Sequence, residues 1–157
     1  MNIPLIDFDI VLSKAQKYCA YQERCQWDID KKMNDWNVDE EIRDTVVANL
    51  ISDNFINEER FARQFTNGRF RIKQWGKQKI KIELKKRQIS AYSINKALEG
   101  IADEEYRVTL LSLINKKKRE IQAKNEFEKT QKLAQYLYSR GYESEMIWDL
   151  LNENRNE

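Results

Sequence analysis

Met33-Asn-Asp-Trp-Asn-Val38-Asp39, Leu84-Lys-Lys-Arg-Gln-Ile89-Ser90 and Leu137-Tyr-Ser-Arg-Gly-Tyr142-Glu143 are three versions of one pattern. An apolar residue is followed by four spacers, a second apolar residue and a capping-type residue; in the third copy the cap is Glu143 or its neighbour Ser144. Each copy leads into another helical stripe: Ile42 and Leu50, Ile94 and Leu98, Ile147 and Leu151. The copies are offset by 51 residues (Met33 to Leu84) and 53 residues (Leu84 to Leu137). Self-similarity at that period predicts tandem three-helix modules. A unit of about fifty residues is near the lower limit for folding alone, so neighbours must lend each other surface. The expected fold is all-α: three tandem three-helix repeats in an elongated, curved arrangement, over residues 7–53, 57–100 and 103–152.

Working outward, the apolar spacing predicts nine helices and no strand. The first is capped by Asp7 or Asp9 and carries Ala15, Tyr18 and Cys19. A second runs from about Gln26 to Asp35 with Ile29 and Met33 on one side. Asp39 caps a third, bearing Ile42, Val46, Val47 and Leu50. Asn57 caps a fourth that reaches about Gln74, with Phe61, Phe65, Gly68 and Ile72 on a shared face. Gly68 costs about 1 kcal/mol in a helix relative to Ala, which predicts close approach of a neighbouring helix there. Gly76 punctuates, and the fifth helix turns Ile80 and Leu84 inward. Ser90 caps a short sixth helix that Gly100 closes. Asp103 starts a long seventh with Tyr106, Leu110, Leu113, Ile114 and Ile121. The eighth carries Leu133, Ala134 and Leu137 and ends at Gly141, a C′ glycine; the ninth contains Ile147, Leu150 and Leu151.

Composition excludes several function classes. The 157 residues contain no His, one Pro, four Gly and two Cys. Without His there is no His general base, His triad or His-rich metal site. No run of about twenty apolar residues spans a membrane. The opening MNIPLIDFDI shows no basic segment followed by an apolar run, so a cytoplasmic protein is expected. Cys19 and Cys25, six apart, form neither a zinc site nor, in that compartment, a disulfide; Cys19 is expected to pack in the first bundle. The carboxylate pairs Asp28/Asp30 and Glu40/Glu41 sit at helix starts, where the dipole favours them. The glycines are scattered, with no phosphate-cradling loop. No enzyme and no cofactor is expected.

A formal net charge of +2 conceals an asymmetry. Between Arg60 and Arg87 stand eleven basic residues: Arg60, Arg63, Arg69, Arg71, Lys73, Lys77, Lys79, Lys81, Lys85, Lys86 and Arg87. The only acid in that window is Glu83, so it carries +10 and the other 129 residues carry −8. Like charges at helical spacing repel, and without interleaved acids the cluster implies a polyanionic partner. That partner is phosphate backbone or an acidic protein surface. Trp75 and Phe70 have two uses, stacking on single strands or core packing, and core packing is the expectation. Phe61 reads as core, whereas Arg60 either pairs with an acid or contacts the partner. Lys116, Lys117, Lys118 and Arg119 form a second run near a helix C-terminus, where the dipole favours it; it is either a solvated end or an extension of the binding face.

The stretch Asn57–Ile89 resembles the RecX family of bacterial proteins that regulate the RecA recombinase. The matching residues are Glu59-Arg60-Phe61-Ala62, Phe65, Arg69, Lys73-x-x-Gly76 and Ile80-x-x-Glu83-Leu84-x-x-Arg87. Ala15, Tyr18 and Arg24 fall where the family has its opening A-x-x-Y and R pattern. Two residues depart: Gln88 stands where the family usually has Gly, predicting a strained or reshaped turn, and Cys25 where it usually has Ser, predicting a looser helix start. The resemblance implies a non-enzymatic regulator, built from three three-helix repeats, that lies in the groove of the RecA–DNA filament and usually inhibits it. The implied partners are the recombinase filament and single- or double-stranded DNA, bound weakly and without sequence preference. The regulator is expected to be a monomer with no membrane partner. The alternative is a helical DNA-binding protein acting without recombinase.

Overall fold

A computed structural model describes residues 8–155; the suggested Asp7 cap lies outside them. Nine helices and no strand form among the described residues: α1 (Phe8–Tyr21), α2 (Gln26–Asp35), α3 (Glu40–Ser52), α4 (Glu58–Arg71), α5 (Lys77–Lys86), α6 (Ala91–Glu99), α7 (Asp103–Glu120), α8 (Glu126–Ser139) and α9 (Ser144–Arg155). They pack in threes. Helix α3 lies against α1 and α2; α4, α5 and α6 all touch one another; α8 lies against α7 and α9. The fold is an all-α tandem of three-helix repeats. The chain exposes 10,377 Å², against about 8,300 Å² for a compact monomer of its mass, so it is drawn out rather than globular.

Local chemistry explains four of the helix starts. The Asn57 side chain accepts the Arg60 N–H at 2.9 Å, Ser90 accepts the Ser93 N–H at 3.3 Å, and Asn125 accepts the Glu128 N–H at 2.8 Å. Asp39 stands at the N-cap of α3 without a side-chain bond, and α7 starts at Asp103 as the sequence indicates, with Ala102 before it as the N-cap. Cys25 supplies a weak cap, but Asp28 reaches back to accept the Cys25 N–H at 3.2 Å and holds the start of α2.

The repeat is written into the backbone. Asn37, Gln88 and Gly141, each four residues after the first apolar position of the pattern, take φ of 55°, 59° and 101°. In each case the following residue's N–H bonds back to the carbonyl of Met33, Leu84 or Leu137, as in a Schellman turn. Gln88 thus adopts a left-handed conformation at a cost of about 1 kcal/mol.

Two cores form. One gathers Val11, Ala15, Cys19, Ile29, Met33, Val46 and Leu50 from α1–α3. The other runs unbroken through α4–α9, from Phe61 and Phe70 through Ile80 and Leu84 to Tyr106, Leu137, Tyr142 and Leu151. The second and third repeats are fused by backbone. The Gly76 N–H donates to Arg140 O at 2.8 Å and the Gln78 N–H to Gly141 O at 2.9 Å. Tyr142 Oη donates to Gln74 O at 2.9 Å. Tyr106 Oη accepts the Lys77 N–H at 2.9 Å and donates to the Glu143 carboxylate at 2.9 Å; burial pushes both tyrosine hydroxyls well above their usual range, keeping them donors.

The fourth helix departs from the sequence reading. It ends at Arg71, because Gln74 turns into the left-handed region at φ 57°. Its inward face is Phe61, Ala62, Thr66 and Phe70, with Ile72 83% exposed. No helix approaches Gly68: a Cβ there would meet nothing within 4 Å. The close approach is at Gly76, where a Cβ would overlap the Gly141 carbonyl and the Tyr142 nitrogen. Gly76→Ala should therefore cost at least about 3 kcal/mol, whereas Gly68→Ala should add about 0.5–1 kcal/mol. Urea unfolding of the two variants checks this, and equal effects would refute the assignment.

Candidate partner-binding surface

The basic residues of the second repeat separate into three groups. One group is spent on holding the repeats together. Arg60 Nε donates to Glu23 at 2.8 Å, and its second nitrogen donates to the Asn54 carbonyl at 2.9 Å, tying α4 to the first repeat. Arg71 makes a two-pronged pair with Glu105 at 3.1 and 3.3 Å, reaching α7. Lys77 lies half-buried with its ammonium 4.7 Å from the Tyr106 ring centroid. Of the two roles open to Arg60, the structure shows the acid pair.

The second group is interleaved with aromatic rings. The Arg69 guanidinium stands 4.6 Å from the Phe65 centroid and 5.3 Å from that of Trp75. Lys79 and Lys73 lie 4.5 and 5.7 Å from the Trp75 centroid. Arg87 lies 4.9 Å from Phe65 and 5.5 Å from Trp27 of α2, whose other neighbour is Lys31 at 3.6 Å. The result is a continuous file of alternating cations and half-buried rings from α2 across α4 and α5. Arg87 is also paired with Glu83 at 3.0 Å; that bond, against a smaller burial effect, holds the Glu83 carboxyl below its usual range. A cleft of about 410 Å³ opens beside the file, lined by Arg24, Gln64, Phe65, Arg69 and Arg87.

The third group is uncommitted. Arg63, Lys85 and Lys86 are exposed and Lys81 is half-exposed, none with an ion pair among the described residues. The stripe of Lys77, Lys81 and Lys85 is thus divided, its first member turned into the junction. In the third repeat, Lys117 pairs with Glu120 at 3.6 Å and sits 4.4 Å from the Tyr136 centroid, while Lys116, Lys118 and Arg119 are exposed. Lys118 borders a cavity of about 320 Å³ with Lys129 and Leu151, all on the third repeat.

Trp27, Lys31 and Phe65 escaped the sequence reading as members of this surface. Lys31, four residues after Trp27 on the same helix, is the local signal available for that pair, whereas Arg87 reaches Trp27 from another repeat and Phe65 sits at a core-like spacing. Phe70 is buried and packs 5.8 Å from Tyr106, as its core reading required, while Trp75 is only partly buried.

The two free cysteines are buried away from this surface. Burial pushes the Cys19 thiol up to about 11 and the Cys25 thiol to about 12, so both stay protonated. No group of three or more acidic or Cys ligands gathers among the described residues, and no described helix is long and apolar enough to cross a membrane.

The fold and this surface define a tandem three-helix repeat protein with one basic, aromatic-laced module. Family models for the second and third three-helix domains of RecX match residues 57–98 and 103–151; the chain belongs to the RecX family. It is 28% identical over 144 residues to regulatory protein RecX of Bacillus cereus, and 26% identical over the same length to that of Bacillus cytotoxicus. Each match covers 92% of this chain and 53% of the relative, so the chain spans about half the length of those proteins. Among solved structures, a regulatory protein RecX superposes with a TM-score of 0.86 at 22% identity, over 92% of this chain and 73% of the other. RecX from Lactobacillus salivarius does so with 0.82 at 20%, over 93% and 95%.

Two internal pairs carry measurable consequences. Arg60 and Glu23 are 24% and 19% exposed. A double-mutant cycle on Arg60→Ala and Glu23→Ala should return a coupling of about 1 kcal/mol, and zero coupling would mean that the pair does not brace the junction. Glu58 is also poised. Burial opposes its charge, but hydrogen bonds from the Ser90 N–H, the Ser93 hydroxyl and the Ser90 hydroxyl outweigh it and lower its pKa from 4.5. A lowered folded-state pKa gives stability that is present above 4.5 and lost as pH falls through the folded value. Glu58→Gln should therefore be less stable than the parent at neutral pH and lose less on acidification, read by urea unfolding at both pH values.

Proposed function

We propose that this chain is a non-enzymatic regulator that binds the RecA recombinase and its DNA filament and restrains ATP hydrolysis, filament growth and strand exchange. Family membership supports the regulatory role. The observation that carries the binding mode is the cation–ring file of Arg69, Lys73, Lys79 and Arg87 with Phe65 and Trp75. A drawn-out molecule with its positive charge on the middle repeat suits a groove lined by phosphates and acidic protein. The middle repeat faces the groove while its neighbours brace against successive recombinase subunits. It works by occupying a surface within the cytoplasm and requires no cofactor.

A second reading, sequence-independent DNA binding without recombinase, is favoured by the rings themselves. Trp75 and Phe65 offer faces on which bases stack, and lysines and arginines at such spacing neutralise phosphates without reading sequence.

Co-sedimentation with recombinase assembled on single-stranded DNA tests the first reading. Changing Lys73 and Lys79 of the file to Gln should weaken binding by at least about tenfold while leaving the fold intact by circular dichroism, since neither has an ion pair among the described residues. Retention of full binding by that variant would refute the proposed face. Equal binding to bare DNA, with a steep loss in salt, would favour the second reading.

A further inference from the structure

The Arg69 guanidinium is held in place but not paired. Phe65 and Trp75 fix its position, at 4.6 and 5.3 Å from their ring centroids, yet it has no ion pair among the described residues. Its Nε is shielded from solvent and finds no hydrogen-bond partner there either. Aromatic faces attract a cation but do not satisfy its N–H donors in the guanidinium plane. A buried donor without an acceptor is costly, and its retention points to an acceptor that comes from outside the chain.

Arg69 lines the cleft of about 410 Å³ that the first two repeats build together. Arg24 enters it from the segment between α1 and α2; Gln64 and Arg69 enter from α4, and Arg87 from the end of α5. Arg24 uses only its Nε, on the Tyr18 carbonyl at 3.2 Å, and lies flat enough for its central carbon to stand 3.7 Å from the Tyr18 ring centroid. Arg87 uses one terminal nitrogen, on the Glu83 carboxylate at 3.0 Å. Terminal nitrogens of both are therefore left without a protein acceptor among the described residues. Two carboxylates also line the cleft, and both are engaged elsewhere. Glu23 accepts from Arg60 Nε at 2.8 Å, and Asp28 accepts the Cys25 N–H at 3.2 Å.

We infer that this cleft is a phosphate site, in which one phosphate group bridges Arg24 of the first repeat to Arg69 and Arg87 of the second. Guanidinium groups bind phosphate through paired, charge-assisted hydrogen bonds. Here the donors come from three separate segments. A carboxylate offers two oxygens in one plane, whereas a tetrahedral phosphate turns acceptors toward several sides at once. The rings beneath the guanidiniums, Tyr18 under Arg24 and Phe65 under Arg69 and Arg87, hold them in position, so less freedom is lost on binding. A phosphate so bound also ties the first repeat to the second, at the junction that side chains alone maintain. The inference deepens the reading of this face as partner-binding and rests on it for the source of the phosphate. It adds the chemical group recognised and a residue outside the charged window, Arg24. A nucleic-acid backbone and a free polyphosphate present that same group.

Two titrations of the whole chain test this, both in phosphate-free buffer without recombinase: inorganic pyrophosphate by calorimetry, and a labelled short single-stranded oligonucleotide by fluorescence anisotropy. Arg24→Gln and Arg69→Gln should each weaken binding by at least about tenfold. Arg63→Gln removes the same charge from α4 at a residue that lines a different cavity, and should change binding by less than about twofold. Arg69→Gln also disturbs the packing of Phe65 and Trp75, so Gln64→Glu supplies a second variant. Gln64 is exposed, and a carboxylate at the rim should weaken binding by about tenfold with the fold unchanged by circular dichroism. Arginine-dependent binding of pyrophosphate supports the site and identifies free phosphate as a ligand. Arginine-dependent binding of the oligonucleotide alone supports it and identifies the backbone as the source. Saturable binding of neither probe overturns the inference, as does an equal loss in Arg24→Gln and Arg63→Gln. Neither result depends on recombinase, so the phosphate site and the recombinase-binding reading fail separately.

Discussion

The contact between Gly76 and Gly141 is the constraint on which the larger part of the molecule depends. Two chain segments, sixty-odd residues apart, approach until their backbones bond directly. A side chain at either position would occupy the other's backbone or Lys79, and Gly141 also requires its left-handed φ. Because no side chain stands between them, Tyr142 can be wholly buried and Tyr106 can bridge Lys77 and Glu143. Six helices therefore share one core.

The first repeat is attached differently. It keeps its own core, and it is tied to the rest through Cys25, Trp27 under Arg87, and the Arg60–Glu23 pair. A cleft of about 720 Å³ remains between Gln26 and Gln88. One end of the chain is thus welded and the other clamped. The cation–ring file crosses the clamped junction, from Trp27 to Trp75, so the surface proposed to meet the filament is shared between a fixed and a more loosely held body.

Much of this was legible in the sequence. The periodic apolar residues and the capping residues Asn57 and Ser90 marked the helices, and the spacing of Met33, Leu84 and Leu137 marked the repeat. The left-handed residues Asn37, Gln88 and Gly141 share one place in that pattern, whereas Asn54 and Gln74 lie outside it. What the sequence concealed was tertiary in origin. Gly68 and Gly76 look alike in one dimension, and only the placement of the third repeat tells the ornamental glycine from the obligatory one. Ile72 continues the apparent stripe of α4, but the helix stops at Arg71 and the residue faces water. The charge window was plain, yet the division of its members was not. Arg60 and Arg71 are drawn to Glu23 and Glu105, dozens of residues away, and Arg87 finds a tryptophan from the preceding repeat.

In the proposed role the molecule is a shaped, charged wedge whose effect on a recombinase comes from occupancy alone. Its most direct test is the rate of DNA-dependent ATP hydrolysis by RecA as this chain is titrated onto a preformed filament on single-stranded DNA. The account predicts a fall in rate that saturates with the amount of chain bound. An unchanged rate at saturating, demonstrated binding would contradict it.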